Sequence, residues 1–133
     1  MPEVTTLLQA SGLIQLTFGV LLGWPLALFH TGLSKVGPFL SMKRVLQSHI
    51  DNMMMGIIQL AISLVAPSEA IIPVVLILIG AWVNPQIFLL QACLPGPKQL
   101  GTPIRAISSV SFVITSVGFV WFLLAALPEI LSG

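Results

Sequence analysis

The segment Ser48-His49-Ile50-Asp51-Asn52-Met53-Met54-Met55-Gly56 places an imidazole, a carboxylate and an amide at the start of a run that otherwise reads as a membrane-spanning helix. Ionisable groups inside a bilayer are costly unless they face a cavity, a partner or a ligand, so this is where chemistry is expected. At helical spacing His49, Asn52, Met53, Gly56, Gln59 and Ser63 share one face and form a polar stripe down an apolar helix. With a helix start near Arg44, His49 lies about 7.5 Å along the axis at 1.5 Å per residue, close to an aqueous entrance. A neutral imidazole there can ligate a metal or haem iron through one nitrogen while the other donates to an acceptor. It can equally serve as an interfacial histidine bonded to a loop carbonyl. Gly56 removes side-chain volume where a flat ligand or another helix could lie. Asp51 points off the stripe, towards Met54, Met55 and Ile58, with Lys43, Arg44 or Arg105 as the cations expected to neutralise it.

A second group lies around Trp82, Asn84, Pro85 and Gln86. Proline at 85 removes an amide hydrogen and leaves the carbonyl of residue 81 without its helical donor, so a bend at mid-membrane is expected. Broken helix at that depth is tolerated where it is buried in protein or lines a cavity. Asn84 offers a donor and an acceptor beside the break, suited either to orienting a polar group on an apolar substrate or to a hydrogen bond between helices. Ser108, Ser111 and Thr115 line one face of the last apolar stretch, with Ser109 and Ser116 in a second row, and no adjacent base activates any of them. His30 reads as an interfacial residue. Cys93, the single cysteine, reads as a small filler near a helix end and has no partner for an internal disulfide.

The elements that carry these groups follow from composition. With 133 residues, 56% of them hydrophobic and 7% charged, and a mean hydropathy of +1.07, the chain is far from the roughly 25% charged content of soluble domains. Four apolar stretches, at about 7–29, 44–66, 70–92 and 104–127, each approach the ~20 residues needed to cross a bilayer. The expected fold is therefore all-α, an integral membrane four-helix bundle forming a single domain over 1–133. The first stretch opens at Leu7 without a basic leader, which argues against a removable signal peptide. All five basic residues, Lys35, Lys43, Arg44, Lys98 and Arg105, fall in the connections after the first and third stretches, while Glu3, Glu69 and Glu129 occupy the other side. The positive-inside bias places both termini outside the cytoplasm. A net charge of +1 and the lack of a basic patch with interleaved aromatics set nucleic-acid binding aside.

The connections are shaped by their breakers. Gly32, Gly37 and Pro38 interrupt any helix between the first two stretches, the short turn at Pro67-Ser68-Glu69 forces antiparallel neighbours, and three prolines punctuate the segment from Leu94 to Pro103. Thr102-Pro103 is a helix start, a hydroxyl cap followed by proline. Gly19 and Gly23 form a small-xxx-small pair that lets another backbone approach.

Three of these features occur together in a known family. His49 followed seven residues later by Gly56 in a Met-rich helix, Trp82-Val83-Asn84 in the third stretch, and Gly101-Thr102-Pro103 opening the fourth resemble the small four-helix membrane isomerases that include styrene oxide isomerase and hydroxylaminobenzene mutase. In the epoxide branch the resemblance implies a b-type haem held by His49 in a homotrimer, with ferric iron acting as a Lewis acid on the epoxide oxygen and Asn84 positioning it. It implies an integral, multi-pass protein of a bacterial inner membrane. The chain has Met55 where that branch carries asparagine before the glycine, with its nearby amide at Asn52, and it has no tyrosine. The acid two residues after the histidine resembles the mutase branch, so epoxide and aromatic hydroxylamine both stand as substrates.

The leading expectation is an isomerase with His49 as the iron ligand. Met53, Gly56 and Trp82 would line the cofactor, Asn84 and Asn52 would shape the substrate pocket, and a small lipophilic substrate would enter from the lipid bilayer. The rival is a small membrane transporter or channel subunit with its site at the Pro85 break. A third expectation is a non-catalytic assembly subunit that packs through Gly19 and Gly23.

Overall fold

The computed structural model describes residues 3–132; Met1, Pro2 and Gly133, which the single-domain reading also spans, lie outside them. The described chain is helical: α1 (Val4–Leu21), α2 (Gly23–His30), α3 (Met42–Ser63), α4 (Ile71–Ala92), a short 3-10 turn at Gly96–Lys98, and α5 (Thr102–Ser132). α1 and α2 are one rod with a flaw at Leu22. Pro25 has no amide to give the carbonyl of Leu21, and Leu22 instead shares its N–H between the carbonyls of Phe18 and Gly19, both at 3.1 Å.

The four rods alternate in direction, with α3 against α1, α4 against α3, and α5 against α4. One end gathers the connection after His30 and the 93–101 loop, joined by a Leu40 N–H bond to the Ala92 carbonyl at 2.7 Å. Gly37, at φ 55°, makes the tight turn in which Val36 and Phe39 exchange backbone hydrogen bonds, and Ser41 caps α3 by accepting from the Arg44 N–H. Alternation carries the five basic residues to this end and Glu3, Glu69 and Glu129 to the other. There Val4, Leu8, Val74, Ile77, Phe122 and Ala126 pack into the larger apolar core. At that end the Ser68 hydroxyl donates to Glu69 at 2.8 Å and holds its carboxyl below the usual glutamate range.

Three spans, Val4–His30, Ile71–Ala92 and Thr102–Ser132, are long and apolar enough to cross a membrane. α3, expected as a fourth apolar stretch, equals Ile71–Ala92 in length at 22 residues but carries Lys43, Arg44, Asp51 and a polar inner face. Its polarity is inverted relative to a soluble helix. Ser48, Asn52, Gln59 and Ser63 are buried while Leu46, Ile50, Met54 and Ile57 are exposed. The boundaries also shift. The first rod starts at Val4, α3 ends at Ser63, and α5 runs on through Pro128 to Ser132 rather than stopping near 127.

The largest departure concerns Pro85. α4 is continuous from Ile71 to Ala92 with Pro85 inside it. The carbonyl of Ala81, the one that proline deprives of a donor, accepts the side-chain amide of Gln15 instead. A polar side chain from a neighbouring helix thus replaces the missing backbone bond, as apolar surroundings require. The interrupted helix on which the transporter reading stood is not present in α4.

Candidate functional site

The polar stripe of α3 is the centre of the molecule. Asn52 is fully buried and fully engaged: its Oδ1 accepts from Gln15 at 3.2 Å and from Gln86 at 3.1 Å, and its Nδ2 donates to the Ser48 carbonyl at 2.8 Å and hydroxyl at 3.2 Å. Gln59 donates to Gln15 Oε1, and its own Oε1 is buried without a partner. Amides from α1, α3 and α4 therefore form one network around Gln15 and Asn52. In apolar surroundings such side chains bond to one another because no water competes.

Glycines let the backbones come close enough for this. A Cβ at Gly56 would sit 2.7 Å from Leu16 Cγ and 2.9 Å from the Gly12 carbonyl, and one at Gly12 would meet the Gly56 carbonyl at 2.9 Å. The volume missing at Gly56 is filled by α1, not left open for a flat ligand. Gly19 likewise faces Met53 of α3, where a Cβ would lie 3.1 Å from the Met53 amide nitrogen. Of the Gly19–Gly23 pair, expected to let another backbone approach, Gly19 does so within the chain, whereas a Cβ at Gly23 would meet only the His49 ring, at 3.9 Å.

His49 stands at the edge of this crossing. It is seven residues into α3, roughly 10 Å along the axis, and half-buried. Its Nδ1 lies 2.7 Å from the carbonyl of Gly19, which the turn at Leu22 has partly released from the helix, and its Cε1 lies beside Gly23. A carbonyl only accepts, so the proton sits on Nδ1 and, in the neutral ring, Nε2 carries the lone pair. Nε2 makes no hydrogen bond among the described residues. The acceptor is a helix carbonyl rather than the loop carbonyl of the simpler alternative.

This donor set discriminates between kinds of metal centre. Among the described residues no three His, Cys, Asp or Glu side chains come together, so the set does not match an ion held by protein side chains alone. One imidazole with its second nitrogen fixed by a carbonyl does match the requirement of an axial haem ligand.

The other expected residues are distributed around α3 rather than gathered on it. Met53, one turn below His49, packs on Gly19. Trp82 donates its indole N–H to Ser11 of α1 at 2.9 Å. Asn84 faces α5, donating to Thr115 Oγ1 at 3.4 Å, and so lies outside the Asn52 network. Asp51 makes no ion pair among the described residues. Arg44, its nearest expected partner in sequence, donates instead to Gln47 at 2.8 Å and Gln99 at 3.4 Å, with its guanidinium 6.0 Å from the Phe88 ring centre. His30 bonds the Leu26 carbonyl at the exposed end of α2, and Cys93, read as a small filler near a helix end, lies half-buried at the end of α4 and bonds the Leu89 carbonyl.

Gln15 is the residue that the sequence reading passed over. Its signal was present: it lies three residues after Gly12 and four before Gly19, on the face that also buries Val4 and Leu8. A lone amide on the packing face of an apolar helix needs a polar partner.

Comparison with known proteins adds no relative: no protein-family model, curated protein or solved structure matches the chain.

Proposed function

We propose that this chain is an integral membrane isomerase that rearranges a small lipophilic aromatic substrate, an epoxide to an aldehyde or an aromatic hydroxylamine to an aminophenol, with a b-type haem held by His49. The observation that carries the reading is the His49 Nδ1 bond to the Gly19 carbonyl, which fixes the ring and its tautomer and keeps Nε2 for iron. When bound, the haem supplies a Lewis-acid centre for the substrate's oxygen, and the rearrangement involves no net redox change. His49 binds and orients the cofactor, and the Gly19 carbonyl keeps the proton on Nδ1. Asn84, which the resemblance gives the role of positioning the substrate's polar atom, is half-buried and held by a long bond to Thr115 on the α5 side, so within one chain it stands apart from His49 and takes that role only through the subunit contacts of a homotrimer. Asn52 has no free donor or acceptor and acts as scaffold for α3, as Gly56 does for the α1 crossing. Apolar side chains exclude water and admit a substrate dissolved in the bilayer. The family resemblance adds a homotrimer in a bacterial inner membrane, with both termini outside the cytoplasm.

The test is an absorption spectrum of detergent-purified protein, with a pyridine haemochrome assay, for wild type and His49→Ala. A Soret band present in wild type and absent in the variant, with turnover lost in parallel, is the expected result. A band of equal intensity in a folded His49→Ala variant would overturn the ligand assignment.

A further inference from the structure

A groove of about 440 Å³ runs between α4 and α5 towards the basic end, lined by Trp82, Gln86, Ile87 and Leu90 from α4 and by Ile104 and Ile107 from α5. Its volume falls within the roughly 300–1,000 Å³ of small-molecule sites. Two polar side chains reach it. The Trp82 indole N–H is already given to Ser11, so the ring is a fixed flat wall rather than a donor. Gln86 gives one N–H to Asn52, while its carbonyl oxygen accepts no bond among the described residues. It lies six residues before the end of α4, roughly 9 Å inside it, among lining side chains that offer it no free donor.

We infer that this groove is a binding site for a neutral, ring-containing lipophilic molecule that carries one hydroxyl group, its ring against Trp82 and its hydroxyl donating to the Gln86 carbonyl. A lipid acyl chain fills the same apolar space but leaves that carbonyl unmet, and a charged ligand finds no counter-ion among the lining residues. The combination of an otherwise apolar lining, one aromatic wall and one open acceptor therefore selects for a hydroxyl on a hydrocarbon frame. The inference is independent of the isomerase reading, since His49 is held against α1 and the groove lies between α4 and α5.

The test uses the full chain in lipid nanodiscs at pH 7, with Trp24→Phe and Trp121→Phe leaving Trp82 as the only indole; both replaced rings are exposed, at 71% and 45%. 4-Bromophenol quenches indole fluorescence on contact, and bromobenzene is the matched probe without a hydroxyl. Saturable quenching by 4-bromophenol is expected, at least tenfold weaker in Gln86→Met. Bromobenzene should bind the parent as weakly as 4-bromophenol binds that variant. Ile107→Phe fills the groove without touching the amide network and should abolish saturation, which keeps the test decisive if Gln86→Met does not fold. Quenching that rises linearly for both probes, as simple partition into lipid does, or saturation that survives Ile107→Phe, would overturn the site. Neither result depends on whether His49 retains haem.

Discussion

Replacing Gln15 by leucine isolates the repair of α4 at Pro85. The substitution leaves two buried groups without partners, the Ala81 carbonyl and the Gln59 amide N–H, while Asn52 Oδ1 keeps its bond from Gln86. At about 1–3 kcal/mol per orphaned group the loss is about 2–6 kcal/mol. Hydrogen bonds between membrane helices average about 0.6 kcal/mol and reach about 1.7, which favours the lower half of that range. The decisive step is the second substitution. Pro85→Ala restores an N–H that can bond the Ala81 carbonyl along the helix. In the Gln15→Leu background it should therefore return about 1–2 kcal/mol relative to its effect in wild type, where Gln15 already serves that carbonyl. The packing lost with the buried proline ring, and the added freedom of the unfolded chain, occur in both backgrounds and cancel in the cycle. The four proteins are compared by unfolding in mixed micelles of rising SDS fraction, followed by far-UV circular dichroism. A coupling within about 0.3–0.5 kcal/mol of zero would mean the two sites act independently, and the account of Gln15 as the donor that Pro85 removed would be wrong.

Other consequences are simpler. A Cβ at Gly80 would overlap the Thr115 side chain, whereas one at Gly96 meets nothing within 4 Å. Gly80→Ala should thus cost about 1–3 kcal/mol in the same micelle titration and Gly96→Ala much less. If Asn84 positions the substrate, Asn84→Ala keeps the Soret band but lowers kcat/KM for a phenyl epoxide or hydroxylaminobenzene about tenfold to a hundredfold, the equivalent of one hydrogen bond at about 1–3 kcal/mol. Loss of the band together with activity would instead make Asn84 a structural residue. In a Cys93→Ala background, Lys98→Cys should react with an impermeant maleimide only from the cytoplasmic face and Glu129→Cys only from the opposite face. The reverse pattern would invert the topology.

Much of the architecture was legible because long apolar helices announce themselves by composition. The periodicity of α3 placed His49, Asn52, Met53, Gly56, Gln59 and Ser63 on one face; the structure buries four of them and leaves His49 and Met53 half-buried. Pro85 even identified the carbonyl that would lack a donor. What local sequence does not contain is the rotation of each helix about its own axis relative to its neighbours. His49 and Asn84 therefore read as members of one site, yet they bond to opposite partners, Gly19 of α1 and Thr115 of α5. Asp51 shows the same limit for charge, because its expected cation Arg44 is drawn off by Gln47, Gln99 and Phe88.

These placements bear on why His49 is so well fixed. The carbonyl that orients it belongs to Gly19, three residues before the flaw at Leu22, where one amide is shared between two carbonyls. A carbonyl with only a shared helical donor points outward more readily and becomes available to a side chain from the next helix. Pro25 acts on that turn indirectly, since its ring crowds the Leu21 carbonyl and leaves it without a donor, and the small residues at 19 and 23 let the imidazole approach. Pro85 does the converse in α4, where the freed carbonyl is taken up by Gln15 and draws α1 against the core. Pro85 thus frees directly the Ala81 carbonyl that anchors α1 at Gln15, whereas the Gly19 carbonyl that anchors α3 at His49 is exposed by the turn at Leu22, which Pro25 adjoins. A Pro25→Ala substitution should accordingly weaken the His49 anchor while sparing the amide network. It would show as a shifted or broadened Soret band with little change in unfolding midpoint, whereas an unaltered spectrum would detach the turn at Leu22 from the orientation of His49.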